Sequence, residues 1–130
     1  MIIKTILLTV LLHLIADYTL QGCLANLKQR KWWVDAGKAN GMSMQEIAKY
    51  KHDYKCGLLC HSLYWTLITF FPIIFLSDLS WAVISFITLI NTAIHYEVDD
   101  MKANQGRLTL WQDQGLHLLQ IVLTCVLFSL

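Results

Sequence analysis

Three short groups of histidine, aspartate and amide residues recur along this 130-residue chain. His13, Asp17 and Gln21 stand four residues apart, and Asn91, His95 and Asp99 repeat that spacing. Asp113, Gln114 and His117 form a third group, with His61 between. Residues four apart share one face of a helix, so each group reads as one polar stripe. Neutral imidazole and carboxylate are ligands for Zn, Mn, Fe or Ni. The predicted ligands of a divalent transition metal are therefore His13, Asp17, His61, His95, Asp99, Asp113 and His117. This set exceeds one tetrahedral site. Either two ions bind, or one ion binds and some carboxylates steady the histidines from behind. Gln21, Asn91 and Gln114 are expected to orient the ligands in that supporting way. An ion with an open coordination position activates water at neutral pH. Asp17 or Asp113 would then serve as general base.

The segments that carry these stripes are strongly apolar. The chain is 56% hydrophobic and 15% charged, against about 25% charged in an ordinary soluble protein. Its mean hydropathy is +0.50. A membrane-spanning helix needs about 20 mostly apolar residues. Four stretches fit, at about 2–24, 57–76, 80–98 and 114–130, within a single domain of residues 1–130. A cleavable signal peptide is the rival for the first stretch. His13 and Asp17 interrupt it, and no small-x-small cleavage site follows. The expected fold is an all-α, integral membrane four-helix bundle. A net charge of +1 leaves no field to recruit nucleic acid.

Orientation follows the positive charges. Lys28, Arg30, Lys31, Lys38, Lys49, Lys51 and Lys55 lie between the first two spans, and Lys102 and Arg107 between the last two; only Lys4 lies elsewhere. Both connections are expected on the cytoplasmic side of the membrane, with both termini on the other. In alternating spans, all the His and Asp stripes then fall in one layer toward the cytoplasm. The long connection, about 25–56, holds Trp32 and Trp33 after a basic run, which suits a headgroup anchor. Residues 35–41 carry two glycines and read as a turn. Ser43 with Glu46 is a capping-box pattern. It opens an expected cytoplasmic amphipathic helix, with membrane lipid as its partner. Cys56 and Cys60 lack the Cys-x2-Cys spacing of a zinc knuckle. His52 reads as a surface residue.

Together these motifs resemble an uncharacterised family of small four-helix inner-membrane proteins of bacteria and their prophages. The family pattern is similar to His-x3-Asp-x3-Gln in the first helix, a His opening the second, His-x3-Asp-x2-Lys closing the third and Asp-Gln-x2-His opening the fourth. Here these are HLIADYTLQ from His13, His61, HYEVDDMK from His95 and DQGLH from Asp113. Glu97 departs from the pattern, where an apolar residue is expected. The resemblance implies architecture and site more than activity. In style it is also similar to prophage-borne membrane metal-dependent hydrolases.

The function expected first is a membrane-embedded, metal-dependent hydrolase with a cytoplasm-facing site. Lys28, Lys31, Lys102 and Arg107 would attract an anionic group such as a phosphate or lipid headgroup; the same residues also serve orientation and lipid contact. One alternative is a non-enzymatic prophage membrane effector or exclusion protein, acting through a homo-oligomer, whose His/Asp layer is structural. Another is a proton or metal-ion pathway. Against a pathway, residues 2–12 offer only Lys4, Thr5 and Thr9 as polar groups.

Overall fold

The computed structural model describes residues 2–128, so Met1 and the last two residues of the fourth expected span lie outside the described part. Every regular element among the described residues is helical. Helix α1 (Ile2–Leu14) runs directly into a π turn (Ile15–Leu20), and a short helix α2 (Leu24–Leu27) follows. Helices α3 (Arg30–Ala39) and α4 (Met44–Lys49) fill the connection. Then come α5 (Tyr54–Thr69), α6 (Phe71–Leu76), α7 (Trp81–Ala103) and α8 (Leu110–Phe128). Helix α1 packs on α5 and α8, and α7 packs on α5 and α8 as well.

Residue chemistry sets where these helices break. Helix α5 stops at Phe70 because Pro72 occupies the start of α6. Proline has no N–H, and its ring clashes with the carbonyl four residues back. Helix α7 begins where the Ser80 side chain caps Val83 N–H. It runs to Ala103, beyond the expected end of its span, and so keeps His95, Asp99 and Lys102 on one rigid element. Helix α8 starts earlier than expected. Thr109 and Gln112 cap each other there, side chain to backbone in both directions.

The connection differs from expectation in one respect. Residues 35–39 are helical, and the turn is confined to 40–43. Gly37 is used for packing instead of turning: a Cβ there would lie 2.7 Å from the Ile47 side chain. The bend itself belongs to Gly41, at φ +72°, where L side chains are disfavoured. The Ser43–Glu46 capping box is present. Its hydrogen bonds hold the exposed Glu46 carboxyl below the usual glutamate range. The helix it opens ends at Lys49, so no single long amphipathic helix forms.

Polar and apolar side chains are distributed inside out. Ile3, Leu7, Leu11, Phe86, Leu89, Leu119, Leu123 and Leu127 are exposed, while Thr9, His13, Asp17, His61, His95, Asp99, Asp113 and His117 are buried. Among the described residues, two segments, Ile2–Leu20 and Trp81–Ala103, are long and apolar enough to cross a membrane. An apolar core of Phe70, Ile73, Ile74, Ile84 and Ile87 fills the end away from the connections.

Candidate metal centre

All seven expected ligands are buried in this interior, although they come from α1, the π turn, α5, α7 and α8. The closest group joins α5 to α7. His61 Nε2 lies 3.2 Å from His95 Nε2 and 3.2 Å from Asp99 Oδ2. His95 Nε2 lies 3.6 Å from the same oxygen. Ligands about 2.0–2.1 Å from a tetrahedral ion stand about 3.3–3.4 Å from one another. The three observed edges bracket that value. Asp17 Oδ1 lies 3.6 Å from His61 Nε2. Asp17, His61 and His95 form one set close enough to hold a metal ion, and His95, Asp99 and His117 form another.

A chain of hydrogen bonds lines up the carboxylates. The indole Nε1–H of Trp65 can only donate, and it donates to His13 Nδ1 at 3.0 Å. His13 must then carry its proton on Nε2, which meets Gln114 Oε1 at 3.1 Å. That sets the Gln114 amide, whose nitrogen donates to Asp17 Oδ2 at 3.1 Å and to Asp113 Oδ2 at 3.0 Å. Each of these aspartates is left with Oδ1 turned toward a histidine, Asp17 toward His61 and Asp113 toward His117. His13 therefore sits within the cluster with both ring nitrogens engaged, outside both ligand sets.

The supporting residues divide. Gln114 orients two carboxylates as described. Gln21 instead donates to the main-chain oxygen of Asp17. Asn91 lies a turn away from the cluster and bonds Gln120 and Thr124. With Thr9, also buried, these form a second, uncharged polar layer. The expected thinning of polar groups beyond His13 holds for the first helix only, because α7 and α8 supply this layer.

Two of the four expected anion-binding residues have buried partners. Lys28 Nζ donates to Asp99 Oδ2 at 2.6 Å and lies 3.1 Å from His61 Nε2. Lys102 Nζ donates to Asp113 Oδ2 at 2.7 Å. Lys31 and Arg107 are exposed, as are Glu97 and His52. Lys28 reaches the cluster because its backbone is clasped. Asn104 Nδ2 donates to Lys28 O, and Asn104 Oδ1 accepts from Arg30 N–H. Trp33 Nε1 donates to Leu27 O, and Gly57 lets α2 lie directly on α5.

Trp65 is the residue that sequence reading missed. Besides holding His13, it stacks on His95 with ring centroids 4.0 Å apart. It stands four residues after His61, so helical spacing could have placed it on the same face. Cys23, Cys56 and Cys60 are exposed free thiols. The chain was compared with protein-family models, curated proteins and solved structures, and none matches.

Proposed function

We propose that the chain is a multi-pass membrane protein, a four-helix bundle whose buried His/Asp layer holds a divalent transition metal and hydrolyses a phosphate-containing or lipid-linked substrate. The observation that carries the reading is the placement of ligand-spaced imidazoles and carboxylates inside a helical body with an apolar exterior. Ionisable groups within a span cost roughly 2.5–3.5 kcal/mol each on insertion scales and persist where they are partnered and functional. Trp81 and Trp111, 80% and 86% exposed, lie at the starts of α7 and α8. Those positions suit aromatic belts at the two membrane surfaces. The excess of Lys and Arg in the two connections supports a cytoplasmic location for them, with both termini opposite.

A bound ion would supply Lewis-acid activation of water and of a phosphoryl oxygen. His61, His95 and Asp99 would hold it. Asp17, with Oδ2 anchored by Gln114 and Oδ1 free of that bond, would take the proton of the attacking water. Lys28 and Lys102, once released from their aspartates, would face the negative charge of the substrate.

The decisive experiment is elemental analysis of the detergent-purified protein beside His95→Ala, followed by hydrolysis assays on phosphate esters and lipid phosphates. One or two equivalents of metal, lost in the variant, together with metal-dependent hydrolysis, support the reading. No metal after reconstitution overturns it. A second reading rests on the two lysines. Lys28 and Lys102 neutralise two of the three aspartates without an ion, as a purely structural layer in a non-enzymatic membrane effector would require.

A further inference from the structure

We propose that the cluster is a two-ion centre bridged by the carboxylate of Asp99; the inference rests on the metal-binding reading above and sharpens it. Asp99 divides its oxygens. Oδ2 faces His61 and His95, at 3.2 and 3.6 Å. Oδ1 faces His117, at 3.4 Å. One carboxylate thus serves imidazoles on both sides. A bridging carboxylate does the same between two ions about 3.5–4 Å apart. The rings of His95 and His117, one from each side, lie against each other. They stack with centroids 4.2 Å apart and 28° between planes.

A second observation points to an ion on the His117 side. His117 Nε2 and Asp113 Oδ1 are buried and have no hydrogen-bond partner among the described residues. They stand 3.4 Å apart, and Asp99 Oδ1 stands the same distance from that nitrogen. Buried polar groups are almost always satisfied. An ion between His117, Asp113 and Asp99 would satisfy both atoms at ligand distances.

The lysines already balance charge in both halves, and Lys28 does so on ligand atoms of the first. Lys28 rests on the Asp99 Oδ2 and His61 edge, and Lys102 rests on Asp113. The Lys28 ammonium stands where the first ion would sit, and the Lys102 ammonium stands on the Asp113 oxygen turned away from His117. Three carboxylates against two ammonium groups leave one negative charge. Two divalent ions and two lysines would overload the site with positive charge, so the lysines must withdraw as the ions enter. Both lie at its rim, with side chains 13% and 34% exposed. The two halves are then His61, His95 and Asp99 Oδ2 on one side, and His117, Asp113 and Asp99 Oδ1 on the other, with Asp17 beside the first as the base. Paired ions would stabilise both the attacking and the leaving oxygen of an in-line displacement at phosphorus, so a phosphate ester is the substrate class.

The test loads the full-length detergent-solubilised protein with Mn2+, measures ions per chain by equilibrium dialysis and records the electron paramagnetic resonance spectrum. The expected result is two ions per chain with an exchange-coupled spectrum. His117→Gln and His61→Gln should each retain one ion with an uncoupled six-line signal. One ion per wild-type chain overturns the pair and leaves the single-metal reading standing. Two ions with uncoupled signals overturn the Asp99 bridge. No ion overturns both the pair and the reading beneath it. The wild-type stoichiometry and spectrum decide the matter even if a variant fails to fold.

Discussion

Replacing Lys28 by methionine separates competition from support. The ammonium of Lys28 sits 2.6 Å from Asp99 Oδ2 and 3.1 Å from His61 Nε2, on ligand atoms that an ion needs. Hydrogen bonds to charged groups contribute about 1.5–3 kcal/mol. An incoming ion would have to displace the ammonium from that interaction before it binds. Since about 1.4 kcal/mol is tenfold in affinity, Lys28→Met should bind metal roughly tenfold to hundredfold more tightly. The metal-free protein should move the opposite way. Removing one partner of a buried pair costs about 3–5 kcal/mol, because the other charge is left uncompensated. The 13% exposure of the Lys28 side chain places the expected loss toward the lower end of that range. The variant should therefore unfold at lower temperature without metal and recover more stability than wild type when metal is added. Titration of Zn2+ against a chromophoric chelator gives the affinity, and thermal unfolding with and without the ion gives the stability. Lys28→Arg keeps the charge and should show neither effect to the same degree. If Lys28→Met binds the ion no more tightly than wild type, Lys28 does not stand in for a cation and the argument fails.

Gly57→Ala should have a related effect by another route. Its Cβ would lie 2.5 Å from Leu27 O, so α2 must move and carry Lys28 off Asp99. Overpacking of this kind costs about 1–3 kcal/mol, and chelator titration should show tighter metal binding than wild type. Trp65→Phe leaves the buried His13 Nδ1 without its donor, a loss of about 1–3 kcal/mol. Metal affinity should fall roughly tenfold to hundredfold, as when supporting hydrogen bonds are removed at other metal sites; the same titration and unfolding experiments check both. Leu119→Arg puts a charge on the exposed apolar face of α8. It should weaken membrane insertion by about 2.5–3.5 kcal/mol at mid-span, read as protein released by alkaline extraction of membranes. His52→Ala, exposed and in neither ligand set, should leave metal content unchanged in elemental analysis.

Much of the helical layout and most of the cluster were legible in the linear chain. The spacing of His13 and Asp17, of His95 and Asp99, and of Asp113 and His117 is a local property. The helical repeat of about 3.6 residues brings such pairs onto one face whatever the helix packs against. The helix stops were less legible. Gly37 and Gly41 look alike in the sequence, yet Gly37 gives close approach to Ile47 and Gly41 makes the turn.

The partnerships across the core required the packed helices. Lys28 and Asp99 are 71 positions apart, Trp65 and His13 are 52, and His13 and Gln114 are 101. No periodicity links such distant residues. Residue types and spacing were enough to name a polar layer of imidazoles and carboxylates on apolar helices. Which oxygen of Asp99 faces which histidine, which histidine has both nitrogens engaged, and which lysines turn inward depend on how α1, α5, α7 and α8 meet. Helix periodicity acts over a few residues, whereas the direction of a hydrogen bond is set by the donor and acceptor that another helix brings to it.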